Sequence, residues 1–108
     1  EPQVARLLPF DAFKTGTAGQ ATTVITVNEI GHGRTAGSKV RFRNVFPFDG
    51  IDHQTISSTN GFDISLITLS DGTTDPDNYK VTVSQTATNG STKGGGPGAT
   101  AGPVTLEK

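Results

Sequence analysis

The chain has 108 residues, a formal net charge of −1, and no Cys, Met or Trp. That excludes a disulfide framework, a thiol nucleophile and any Cys-ligated metal site, and it offers no bulk charge for a polyanion. Leu, Ile, Val and Phe make up 25 residues, about 23% of the chain, against 17 Thr and 14 Gly. This composition lies just above the ~20% at which chains stop forming a core. No apolar run approaches the ~18–20 residues that span a bilayer. No signal peptide is legible, and the absence of an initiator Met marks a processed product or a piece of a longer chain.

In chain order, residues 1–21 read as an extended N-terminal arm and linker. Leu7-Leu8-Pro9-Phe10-Asp11-Ala12-Phe13 is a short apolar patch interrupted by Pro9. Phe10 and Phe13 anchor it either on a neighbouring surface or on the domain itself. Residues 22–108 read as one β-domain. Thr22 to Ile30 is dominated by β-branched residues, whose stiff χ1 suits a pleated surface, and Gly31-His32-Gly33 stops it. Lys39 to Val45 alternates, with Val40 and Phe42 on one face and Lys39, Arg41 and Arg43 on the other. Phe46-Pro47-Phe48-Asp49-Gly50 reads as a turn carrying two aromatics. In Phe62 to Leu69 the alternation changes phase, which predicts a bulge or corner near Leu66-Ile67. Ser70 to Asp77 reads as a polar turn containing Pro76. Asn78 to Ser84 is a strand with Tyr79, Val81 and Val83 on one face. Residues 85–102 read as a long Gly-rich loop, and Pro103 to Glu107 as a closing strand. No helical period of ten residues occurs. The expectation is an all-β fold, a small antiparallel barrel or sandwich of about five or six short strands.

Candidate chemistry is sparse. His32 and His53 are the only histidines, and Asp49 and Asp52 are the carboxylates nearest His53 in sequence. Between its two glycines, His32 reads better as a residue that hydrogen-bonds backbone at a tight turn than as a catalytic or metal-binding one. Gly31 to Lys39 superficially resembles a phosphate loop, but the spacing fails and the segment joins two strands. Asp71, Asp75 and Asp77 crowd one turn, which suits calcium or, more simply, turns capped by Asp side chains. Lys39, Arg41 and Arg43 read as a solvated face or one salt-bridged to a neighbouring subunit. Asn89-Gly90-Ser91 fits a glycosylation sequon. No active site, cofactor or specific nucleic-acid site is expected, and the chain reads as non-enzymatic.

The order of segments resembles a β-module of tailed-bacteriophage virion proteins. The resemblance runs from Pro9 to Glu107. It rests on Gly31-His32-Gly33, on Val40-Arg41-Phe42, on Asp49-Gly50-Ile51 and Asn60-Gly61-Phe62-Asp63-Ile64, on Asn78-Tyr79-Lys80-Val81, and on Gly94-Gly95-Gly96 before Val104-Thr105-Leu106. Ser38, where that module carries an acidic residue, and the bulky Phe46 to Phe48 depart from it. The resemblance implies a virion structural component of the neck, tail or tail-hub region. Its partners would be copies of itself and other virion proteins.

A thin core independently favours a subunit that completes its burial against neighbours. The interface residues expected on that basis are Phe10, Phe13, Lys39, Arg41, Arg43, Phe46, Phe48, Gly94, Gly95 and Gly96. The alternatives are a receptor- or carbohydrate-binding module of a fibre or adhesin and a capsid decoration protein.

Overall fold

The computed structural model describes residues 6–16, 23–35, 39–57, 61–88, 90 and 92–102. The chain is an all-β sandwich of two antiparallel sheets. Its strands are β1 (Arg6–Leu7), β2 (Phe13–Thr15), β3 (Val24–Asn28), β4 (Lys39–Arg43), β5 (Phe62–Asp63), β6 (Ser65–Thr68), β7 (Thr74–Thr82), β8 (Lys93–Gly94) and β9 (Thr100–Gly102), with one short helix, α1 (His53–Ile56). One sheet has the order β1-β9-β4-β5 and the other β6-β7-β3-β2-β8.

The core lies between the sheets. β3 turns Ile25 and Val27 inward, β7 contributes Tyr79 and Val81, and β4 answers with Val40 and Phe42, all fully or almost fully buried. Phe13 of one sheet meets Phe42 of the other edge-to-face, with ring centroids 5.0 Å apart, and also stacks on Phe48 at 5.6 Å. Such pairs contribute beyond the apolar area they remove from water.

The N-terminal segment is extended, as expected, but from Arg6 onward it is not an arm. β1 pairs with β9, and β2 lies inside the five-stranded sheet between β3 and β8. Period two explains the placement: Phe13 and Thr15 point inward, and Lys14 points to solvent. Residues 85–102 are likewise no free loop. They carry β8 and β9, whose partners lie far away in sequence. Pro103 to Glu107 lies outside the described residues.

The phase change at Leu66-Ile67 corresponds to a register shift. Leu66 faces Tyr79, but Thr68 faces Thr74, so the excess residues sit on β7. Pro76 falls in that irregular stretch, where a missing N–H costs no ladder bond. The hairpin turn is correspondingly shorter than expected and closes when Leu69 N–H donates to Thr73 O at 2.7 Å. At Phe48-Asp49-Gly50-Ile51 both central residues have positive φ, +47° and +82°, and Phe48 bridges to Ile51. That sign combination is the one a two-residue type I′ hairpin requires.

Candidate functional site

The bulged stretch of β7 receives the turn after β3. Glu29 N–H donates to Asp77 O, His32 N–H to Pro76 O, and Gly31 N–H to the Asp77 carboxylate, at 2.8–2.9 Å. His32 is buried. Its Nδ1 accepts from Arg34 N–H at 2.9 Å, so Nε2 carries the hydrogen and donates to Asp75 O at 3.0 Å. The expectation of a turn histidine bonded to backbone is met. His53, by contrast, is exposed at the start of α1.

Beneath this turn lies a buried ionic cluster absent from the sequence expectations. Glu29, 2% exposed, accepts the Tyr79 hydroxyl at 2.7 Å and the Arg34 Nε–H at 3.0 Å on one oxygen. Its other oxygen takes Arg34 Nη2 and Arg6 Nη1, each at 3.3 Å. Arg6 also donates to the carbonyls of Ile30 and Gly31. Burial, and then the Glu29 carboxylate, push the Tyr79 hydroxyl far above its ordinary pKa, so it stays a donor. The cluster ties β1, the turn after β3, and β7 together.

The other acidic candidates are spent locally. The Asp49 carboxylate accepts from the Thr15 hydroxyl at 2.6 Å and from Gly90 N–H at 2.9 Å, holding the loop after β7. Asp52 exchanges hydrogen bonds with the Gln85 amide at the start of α1. Among the described residues no group of three His, Asp or Glu is arranged to hold a metal ion.

Asp71 and Asp75 each close a turn. Asp71 accepts the Thr73 hydroxyl at 2.6 Å and the Thr73 N–H, while Asp75 accepts Asp77 N–H and the Asn78 amide. The Thr73 hydroxyl foremost holds Asp71 below its ordinary value of 3.8, and Asp77 N–H does the same for Asp75. A depressed folded value makes their stabilisation present above that ordinary value and lost as pH falls through the folded one. A carboxyl-carbon NMR titration therefore gives an Asp71 midpoint below 3.8, which Thr73→Val moves upward. An unchanged midpoint would remove the hydroxyl from the account.

The expected interface residues divide into two groups. Phe13 and Phe48 are core residues, and Gly94, Gly95 and Gly96 are buried beside them, so these five have no surface for a neighbour. The reason is close approach: a Cβ at Gly94 would strike Phe48, and one at Gly95 would strike the Phe13 ring. The basic stripe is also corrected. β4 is an interior strand, Arg41 is buried, Lys39 pairs with Asp63 at 2.8 Å, and Arg43 donates to the Phe42 and Ser57 carbonyls. Phe10 and Phe46 remain outside, 70% and 58% exposed, joined by Leu7 at 72%.

Of the five large exposed apolar residues among the described ones, Ile30 and Leu69 lie elsewhere, and these three border one segment. Leu7 pairs with Thr100, Phe46 N–H donates to Gly95 O at 2.9 Å, and Asp11, next to Phe10, donates to Gly96 O at 3.3 Å. Leu7 escaped the sequence reading because Leu7 and Leu8 are adjacent, and only the β1–β9 register decides which of them is buried.

The fold and this rim define a small all-β sandwich with an exposed apolar border. No family model, curated protein or solved structure matches the chain.

Proposed function

We propose that the chain is a non-enzymatic structural component of a tailed-phage virion, in the neck, tail or tail-hub region, whose copies assemble into a symmetric oligomer. The place in a virion rests on the order of turn and strand motifs in the sequence. The observation that carries assembly is the rim of Leu7, Phe10 and Phe46 around the Gly95–Thr100 segment. Exposed apolar side chains grouped on one border mark contact surfaces more often than scattered ones do. Beside them β1 is an edge strand, with β9 on one side only. An edge presents unpaired backbone groups that a second chain can extend.

Phe46→Ser combined with Phe10→Ser tests this by sedimentation. The wild-type chain sediments as a multimer and the double variant at the 11.2 kDa of one chain. At concentrations low enough that wild type is dissociated, the two thermal midpoints coincide, because both rings are already in water in the single subunit. An unchanged multimer would move the interface elsewhere. A wild-type monomer would favour a receptor-binding module or an isolated decoration subunit.

A further inference from the structure

The outer face of the five-stranded sheet carries a basic row that no stretch of sequence displays. Antiparallel pairing sets Lys14 opposite Lys93 on β8 and opposite Thr26 on β3, and Thr26 opposite Lys80 on β7. Directly paired residues share a face with Cβ atoms ~4.5–5.5 Å apart, and like charges so placed repel. Among the described residues, none of these three ammonium groups has an ion pair or a hydrogen bond. Lys39 shows the alternative: its cross-strand partner is Asp63, and the two form an ion pair.

The row borders a concavity of about 290 Å³ lined by Phe10, Asp11, Lys14, Thr26, Asn28, Asn78 and Lys93. That volume lies at the small end for ligand pockets and suits a single ring rather than a peptide. Asn28 and Asn78 face each other across β3 and β7. Asn28 Nδ2 donates to Asn78 Oδ1 at 3.0 Å and to Asp77 O at 3.2 Å, and Asn78 Nδ2 donates to Asp75 at 3.0 Å. Both amides are thereby fixed in orientation. Asn28 Oδ1 and the second Asn78 Nδ2 hydrogen are left unspent. Asp11 is held by Gly96 N–H at 2.9 Å. Phe10 supplies a water-facing apolar ring.

We infer that this concavity binds an acidic sugar, a pyranose ring bearing a carboxylate or sulfate. Lys14 and Lys93 take the anionic group, Asn28 and Asn78 take hydroxyls, and Phe10 packs on a C–H face. Charge-assisted hydrogen bonds are about twice as strong as neutral ones, so the lysine pair dominates the selectivity. A formal net charge of −1 provides no general attraction, so the anion is held by this local arrangement. The inference goes beyond assembly and rests on Lys14, Lys93, Asn28 and Asn78; Phe10, which also belongs to the rim, packs on the sugar in the free subunit.

The test is a series of ¹H–¹⁵N spectra of the full chain titrated with glucuronate, glucose and inorganic sulfate. Glucuronate produces saturable shifts at Lys14, Thr26, Asn28, Asn78 and Lys93, and binds roughly tenfold tighter than either other probe, as expected when both the charged and the hydroxyl contacts count. Lys14→Ala and Lys93→Ala each weaken it by about tenfold, and Lys80→Ala, in the row but outside the concavity, by less than about twofold. Four results overturn the proposal. These are glucose matching glucuronate; sulfate matching it, which means an adventitious ion only; the absence of any saturable shift; and Lys80→Ala matching Lys14→Ala, which means a polyanion tracking the whole row. Chain mass, read separately, reports on assembly and not on this site.

Discussion

Glu29→Ala lowers the thermal midpoint by about 12–20 °C or leaves the chain unfolded at room temperature. The carboxylate is the common acceptor for Tyr79, Arg34 and Arg6, and Arg34 is only 3% exposed. Its removal leaves a guanidinium buried without a counter-charge, and Arg34 Nη1 already has no hydrogen-bond partner. Breaking a buried pair by deleting one partner costs about 3–5 kcal/mol. In a domain of this size each kcal/mol moves the midpoint by roughly 4 °C. Tyr79→Phe removes one hydrogen bond to a charged group and costs less, about 1.5–3 kcal/mol. The triple variant Glu29→Leu, Arg34→Met, Tyr79→Phe removes the two buried charges together, leaves the part-exposed Arg6 on its backbone carbonyls, and recovers most of the loss, since well-packed apolar replacements of buried pairs are often neutral. Circular dichroism melts of the three variants measure this. A Glu29→Ala loss under about 1 kcal/mol would show that the cluster is solvated and structurally minor.

Gly95→Ala is the second large effect. Its φ is +104°, and an added Cβ would run into the Phe13 ring at the meeting point of the two sheets. Positive φ costs a residue with a Cβ about 1–2 kcal/mol, and overpacking a filled core adds about 1–3. The expected loss is therefore about 2–5 kcal/mol by urea denaturation. Gly98→Ala separates the two contributions. It too has positive φ, +85°, but nothing lies within 4 Å of its added Cβ. It loses only the backbone share, about 1–2 kcal/mol. Equal losses at the two positions would mean that the Gly-rich segment is not packed against Phe13.

These two sites also show what the sequence reveals and what it hides. Val24 to Asn28 was legible from its β-branched residues, and Lys39 to Arg43 and the Tyr79-Val81-Val83 face because alternation is a local property of a strand. The irregularity at Leu66 was legible for the same reason, although only pairing shows that its excess residues lie on β7. Gly94 to Gly96 reads as a loop because glycine has no side chain to reveal its environment; Phe13 and Phe48 closing over it is a tertiary fact. Phe13 reads as an arm residue because β2 has only three residues, too few to establish a period, and its partners arrive from β3 and β8.

Deleting residues 1–13 would therefore remove part of the core rather than detach an arm. The Glu29 cluster and the lysine row were hidden because Glu29 meets Tyr79, and Lys14 meets Lys93, only after a long stretch of intervening chain folds back in register. The exposed Phe10 and Phe46 are the expected interface residues with most ring surface left to offer a neighbour.

The most direct test of the account is the mass of the unsubstituted 108-residue chain by light scattering across a concentration series. Assembly through the Leu7, Phe10 and Phe46 rim predicts a discrete multiple of 11.2 kDa that persists on dilution into the micromolar range and withstands high salt, as an apolar contact does. A mass of 11.2 kDa at every concentration would contradict it.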